Sequence, residues 1–194
     1  FNAYNLLVAF AVGKYLGQDE LSLLTILSSV KAPQGRFEYF LSDHKITAVI
    51  DYAHTPDALE NVLKTLLDLK KGTEKLITVF GCGGNRDKGK RPLMGEIASR
   101  LSDQVLITSD NPRDEDPDSI INEIYHGVPS VLKEKVFTVT DRMEAIEMAC
   151  KMASAGDVIL IAGKGHENYQ IIGNESQHFD DMENTIHIFK KLKK

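Results

Sequence analysis

The residues best placed to do chemistry lie in one glycine-rich, basic stretch, Gly81-Cys82-Gly83-Gly84-Asn85-Arg86-Asp87-Lys88-Gly89-Lys90-Arg91. It leaves the apolar run 75–80 and leads into a helix expected from Pro92. A buried strand that ends in glycines and opens a helix presents free backbone N–H groups at a positive dipole end, a seat for anions. Arg86, Lys88, Lys90, Arg91 and the more distant Arg100 add five cations, so carboxylates or phosphates are the expected ligands. Two common nucleotide templates fail here. Gly84 to Lys90 fits G-x-x-x-x-G-K, but Arg91 stands where a phosphate-cradling loop needs a Ser or Thr for magnesium. Gly81-x-Gly83 opens a dinucleotide fingerprint whose third glycine would fall at Arg86.

Three other polar segments follow apolar runs. Asp110-Asn111-Pro112-Arg113 offers an amide and a guanidinium, and Pro112 forces Asn111 to be extended. Arg113 can fork onto a carboxylate, or it can pair in solvent with Asp114, Glu115 or Asp116 beside an ordinary turn. Gly163-Lys164-Gly165-His166-Glu167 follows the most apolar run of the chain. Its glycines permit close backbone approach to a ligand and Glu167 can accept from an ammonium, which favours function over a solvated turn. Asp51 suits a ribose diol and His54 a base, and equally a turn acid and a satisfied polar residue. His44, His126, His178 and His187 are scattered without zinc spacing, so no metal site is expected. The helix with Met143, Ile146, Met148, Ala149 and Met152 reads as core.

The elements that must position these segments follow from periodicity and punctuation. Residues 2–16 carry a helical apolar stripe closed by Gly17, a second helix is expected over Glu20–Ser29, and the linker 31–35 marks a domain boundary. Beyond it, strands are expected at 36–41 and 46–51, joined by a turn at 42–45. Thr55-Pro56-Asp57 opens a helix with a capping hydroxyl, a proline at the first position and an early acid. Leu59, Val62, Leu63, Leu66 and Leu67 form its inner face, and Lys70, Lys71 and Gly72 end it. Strands at 75–80, 104–109, 136–139 and 157–162 then alternate with helices at 92–101, 117–126 and 141–154. Continuous apolar strands such as Val158-Ile159-Leu160-Ile161 predict an α/β, Rossmann-like fold, a mostly parallel sheet with helices on both faces. Ligands collect at the carboxyl ends of such strands, where all four polar loops fall.

Composition narrows the function classes. With 194 residues, 42% of them hydrophobic, the chain can bury a sizeable core, most simply as one domain plus an appendage. A net charge of −5 argues against a nucleic-acid partner. Cys82 and Cys150 are too few for a disulfide framework, which suggests a cytoplasmic setting. No apolar run approaches the roughly 20 residues of a membrane span, so no membrane partner is expected. The opening at Phe1, without Met and in mid-helix sequence, suggests a fragment.

Asp51-Tyr52-Ala53-His54-Thr55-Pro56-Asp57, the glycine loop, Asp110-Asn111-Pro112-Arg113 and Gly163-Lys164-Gly165-His166-Glu167, in this order, resemble the C-terminal half of the MurE group of the Mur ligase family. The resemblance runs from Phe1 to about residue 182. It implies an ATP-dependent amide ligase that adds meso-diaminopimelate to UDP-N-acetylmuramoyl-L-alanyl-D-glutamate (UDP-MurNAc-L-Ala-D-Glu) in peptidoglycan synthesis. In the family that the chain resembles, ATP phosphorylates the dipeptide carboxylate, and the incoming amine attacks the acyl phosphate. On the same resemblance, residues 1–33 are the tail of the central ATP-binding domain and 34–194 the C-terminal domain. Arg86, Asp110, Asn111, Arg113, Gly163 and Glu167 would hold meso-diaminopimelate, with Arg113 selecting it over lysine through its second carboxylate. Arg36, Asp51 and His54 would face ATP. ATP and Mg2+ would be bound mainly by a central domain whose phosphate loop, magnesium ligands and modified lysine are missing here. No catalytic residue is therefore assigned, the fragment alone is expected to be inactive, and a monomer is expected. Two other classes compare with this. The Asp-Asn-Pro-Arg and Gly-Lys-Gly-His-Glu pair argues against a folylpolyglutamate-type ligase domain; a non-catalytic amino-acid-binding module is the other alternative.

Overall fold

The structure is a computed structural model that describes residues 2–30, 33–70 and 72–194. It divides into two compact units, Phe1–Pro33 and Gln34–Lys194. Two residues of the expected linker, Lys31 and Ala32, and the expected helix terminator Lys71 lie outside the described residues.

The first unit is a pair of helices, α1 (Asn2–Tyr15) and α2 (Glu20–Ser29). Asp19 caps α2 by accepting from the Ser22 N–H at 2.9 Å. Leu6, Leu7, Phe10, Leu24 and Leu27 line an open apolar cleft within this pair.

The second unit is a six-stranded sheet in the order β1-β2-β6-β3-β4-β5. Its strands are β1 (Glu38–Leu41), β2 (Thr47–Asp51), β3 (Leu76–Phe80), β4 (Gln104–Ile107), β5 (Val136–Thr138) and β6 (Val158–Ala162). Only the edge strand β1 runs antiparallel to its neighbour. Successive strand residues point to opposite faces, and the core splits accordingly. Val49, Phe80, Val105 and Leu160 pack under α3 (Pro56–Leu69), α4 (Lys90–Leu101) and α5 (Pro117–His126). Ile50, Val79, Leu106 and Ile161 pack under α6 (Arg142–Met152) and α7 (Asp181–Leu192). The sheet is thus mostly parallel and covered on both faces. Leu67 is only half-buried, while Leu59, Val62, Leu63 and Leu66 form the inner face of α3.

Several element ends fall one or two residues inside the expected bounds, as at Glu38 in β1, Ile107 in β4 and Met152 in α6, and three larger features depart from the expected elements. Helix α4 begins at Lys90, not at Pro92, because a proline in the first turn of a helix removes an N–H that has no intrahelical partner anyway. A short 3-10 helix, Ser130–Lys135, precedes β5. The expected strands and helices ended at residue 162, yet a hairpin of β7 (Tyr169–Ile172) and β8 (Glu175–His178) follows, and then α7. Strand β8 reads Glu-Ser-Gln-His, all exposed, so no apolar alternation marks it. Its turn does carry a signal: Gly173-Asn174 is a hairpin dipeptide, and Gly173 takes a φ of +58°. The hairpin is stitched to the Asn-Pro turn, with Arg113 N donating to the Ile171 carbonyl at 3.1 Å and Gly173 N to the Arg113 carbonyl at 2.7 Å. Among the described residues no helix is long and apolar enough to cross a membrane.

Candidate functional site

The carboxyl ends of β2, β3, β4 and β6 open on one cavity of about 460 Å³. Arg86, Asp110, Asn111, Arg113, Gly163 and Glu167, the six residues expected on the amino acid, all line it. Of the three expected on ATP, His54 lines the same cavity, beside Tyr52, whereas Arg36 and Asp51 do not. The Arg36 guanidinium lies 5.5 Å over the Tyr52 ring. Asp51, 7% exposed, turns its carboxylate to the Phe37 N–H at 2.8 Å. Burial pushes that carboxyl above its usual range, against the Phe37 and Ala53 N–H groups and Arg36.

Backbone contact between two loops builds the floor. Gly84 N donates to the Asn111 carbonyl at 2.9 Å, and a Cβ on Gly84 would lie 1.8 Å from the Pro112 carbonyl oxygen, so only glycine fits. Arg113 donates through Nη1 to the carbonyls of Gly84 at 3.0 Å and Asn111 at 3.3 Å. Its backbone is left-handed, φ +53°, and the hairpin bonds hold it there. The pairing of Arg113 with nearby acids in solvent is not what forms. Asp114 pairs with the Asn85 side chain, Glu115 binds Arg91, and Asp116 caps α5 through the Ser119 N–H.

Not all five cations of the glycine loop serve the cavity. Arg91 is fully buried and forks onto Glu115, with both bonds at 3.0 Å, while also reaching Glu123 at 2.9 Å. Lys88 pairs with Glu115 at 3.0 Å, and Arg100 pairs with Glu96 one turn away on α4. These three are structural, because acids the loop motif does not contain neutralise them. Arg91, then Lys88 and the Asn85 N–H, hold the Glu115 carboxyl down at about 2. Arg86 and Lys90 remain on the cavity wall, and Lys90 Nζ donates to the His54 carbonyl at 2.7 Å.

Asn111 is the hub of the site and is 2% exposed. Its Oδ1 accepts from Lys164 Nζ and from Ile171 N, both at 3.0 Å, and its Nδ2 donates to Glu167 Oε2 at 2.9 Å. An ammonium and a backbone N–H can only donate, so the amide can sit only one way round. Lys164, which sequence inspection left unassigned, is completely buried and also donates to the Tyr169 carbonyl at 2.6 Å. Burial lowers its pKa below the usual lysine range, opposed chiefly by Asp110. The only local signal was a lysine between two glycines after a buried strand. Gly163 at φ +116° and Gly165 at φ +54° turn the chain back at this point.

A second buried cation was also missed. Arg142 binds Asp181 through two bonds of 2.8 and 2.7 Å, and donates to the carbonyls of Ser109 and Ala162 at 3.2 Å. It thereby ties together the ends of β4 and β6, from which two of the cavity loops leave. Cys82 is buried, with its thiol pushed up to about 12 mainly by burial, and so is no nucleophile at neutral pH. Among the described residues, no group of three or more His, Cys, Asp or Glu could hold a metal ion.

Residues 35–165, more than half of the chain, match the family Mur ligase, glutamate ligase domain. The chain belongs to the Mur ligases. The matched stretch is the C-terminal domain of these ligases. The chain is 55% identical over 181 residues to the UDP-N-acetylmuramoyl-L-alanyl-D-glutamate–2,6-diaminopimelate ligase of Cytophaga hutchinsonii, covering 93% of this chain and 37% of that protein. It is 52% identical over 189 residues to the ligase of the same name from Parabacteroides distasonis, covering 97% of this chain and 39% of that protein. A solved structure of a ligase with this name superposes with a TM-score of 0.77 at 39% identity, over 100% of this chain and 39% of that one. The fold is also that of the Mur ligase MurC from Thermotoga maritima, with a TM-score of 0.65 at 22% identity, over 99% of this chain and 37% of that one. This Mur ligase chain spans about two fifths of the length of the curated relatives it matches.

Proposed function

We propose that this chain is the amino-acid-binding C-terminal domain of an ATP-dependent ligase that joins meso-diaminopimelate to UDP-MurNAc-L-Ala-D-Glu in peptidoglycan synthesis. The observation that carries this is the meeting of Arg86, Arg113 and the Asn111–Glu167 pair in one cavity. Two guanidinium groups suit a carboxylate, and Glu167 with Asp110 suits an ammonium. Together they match a zwitterionic amino-acid head. Diaminopimelate carries such a head at its distal end, where lysine has an ammonium alone, so Arg113 and Arg86 would be left without an anion by lysine.

These residues bind and orient; they do not take part in bond making. With the distal head clamped, the other amine is held toward the dipeptide, which is catalysis by positioning. ATP, when bound, supplies the phosphoryl group that activates the dipeptide carboxylate. Arg36, Asp51 and His54 form the edge of this unit proposed to face ATP, and Phe1–Pro33 is proposed to be the tail of the central ATP-binding domain. Mg2+ and the phosphate loop belong to that central domain.

The test is ADP release by the full-length protein that carries this chain. Release is expected only when UDP-MurNAc-L-Ala-D-Glu and meso-diaminopimelate are both present. Equal turnover with lysine would overturn the assignment. The chain alone is expected to release no ADP.

A further inference from the structure

We propose that Lys164 is a positioning residue for the incoming amino acid: its ammonium fixes the Asn111 amide, and through that amide it aims the Glu167 carboxylate into the cavity. The inference rests on the assignment of the cavity to the amino acid made above.

Lys164 does not line the cavity, so whatever it does for a ligand it does through other residues. Its side chain is completely buried and pairs with no carboxylate within salt-bridge distance among the described residues; its partners are the Asn111 Oδ1 and the Tyr169 carbonyl. Burying an ammonium against neutral acceptors is costly, and an apolar chain of similar length would fill the same space without that cost. Its contribution therefore lies in those two bonds, with the Tyr169 ring 5.7 Å from the ammonium beside them. One of them acts on the site directly. With Oδ1 facing Lys164 and Ile171, Nδ2 has to face Glu167, and the Asn111–Glu167 bond at 2.9 Å then fixes Oε2. Glu167 Oε1 makes no hydrogen bond among the described residues and is free for a ligand ammonium. The second bond reaches the start of β7, the strand that also holds Arg113, so one buried cation braces both the acidic and the basic side of the cavity.

The closing experiment has a ligand-dependent and a ligand-free arm. In the full-length protein, Lys164→Met is expected to raise KM for meso-diaminopimelate about tenfold with kcat changed less than about twofold, and to leave KM for ATP unchanged. On a Glu167→Gln background the same substitution should change that KM less than about twofold, because the residue through which it acts is already disabled. Additive effects, or an unchanged KM, would overturn the proposal. Lys164→Gln, which keeps an N–H donor group, should raise KM less than Lys164→Met does; equal effects would count against the hydrogen bond as the cause.

Without ligand, the Asn111 side-chain amide protons of the 194-residue chain should exchange at least about tenfold faster in Lys164→Met than in the unsubstituted chain. Should that variant not fold, the unsubstituted chain should still give a slowly exchanging ammonium signal from Lys164 with a nuclear Overhauser contact to the Ile171 N–H. Its absence would overturn the proposal. These measurements separate the two failures. Missing diaminopimelate-dependent turnover removes the functional assignment and leaves only the Lys164–Asn111–Glu167 contact standing, whereas an Asn111 amide indifferent to Lys164 removes the positioning role alone.

Discussion

Arg113 Nη1 donates to the Gly84 carbonyl at 3.0 Å, so the guanidinium of the Asn-Pro turn is anchored on the backbone of the glycine loop that carries Arg86. Arg113 is thus held by backbone packing, while Arg86 stays exposed and donates to the carbonyl of its neighbour Asn85 at 3.2 Å. Charge-assisted bonds to a carboxylate are worth about 1.5–3 kcal/mol. Arg113→Ala is therefore expected to cost about 10- to 100-fold in the preference for meso-diaminopimelate over lysine, and Arg113→Lys to fall in between, since it keeps charge without the fork. Calorimetry or competition turnover in the full-length protein checks this.

Gly84→Ala tests the cradle itself. Its Cβ would meet the Pro112 carbonyl oxygen at 1.8 Å, a backbone atom that cannot swing aside. Overpacking of this kind costs about 1–3 kcal/mol. Urea denaturation should register that loss, and amino-acid affinity should fall with it as the two loops separate. Gly163→Ala should behave alike, with a Cβ 2.6 Å from Asp110 Oδ2 and a φ of +116°.

The buried pair Arg142–Asp181 braces the strand ends under the cavity. Removing one partner strands a buried charge, so Arg142→Met or Asp181→Asn is expected to destabilise the fold by about 3–5 kcal/mol. The double substitution Arg142→Met with Asp181→Leu should recover much of that. Two single and one double denaturation curve decide it, and a simple sum of the single effects would be the contrary result.

Acid stability should carry the mark of Glu115. Its folded carboxyl titrates at about 2, below the ordinary 4.5. The folded state thus binds its proton later than the unfolded chain, and the stabilisation is complete above about 4.5 and lost as pH falls through about 2. Glu115→Gln removes this dependence. The stability gap between the two proteins, followed by denaturation across that window, should narrow as the solution is acidified.

Much of this architecture was legible in the linear order of residues. Alternating apolar runs and capped helices marked β2 to β6 and α3 to α6, since each pattern is settled by neighbours within a few positions. The polar loops were legible for the same reason, because they directly follow strands whose direction a parallel sheet makes common. The exposed strand β8 was not, since neither of its faces is buried and no periodicity results. Helix α7 could have been found from its Asp180 cap and its buried Thr185, Ile188 and Phe189.

Which charges face a ligand was decided elsewhere. Arg86 and Arg91 stand in one loop and are chemically alike, yet Glu115 and Glu123 bury the second and leave the first on the cavity. The sequence by itself determined the strands, the loops at their ends and the residue types available there, because these depend on short-range periodicity and turn chemistry. Only the tertiary structure decided that Lys164 turns inward to Asn111 and that Arg142 finds Asp181, because burial and pairing of a charge depend on partners tens of positions away, brought close only when the sheet and its covering helices pack.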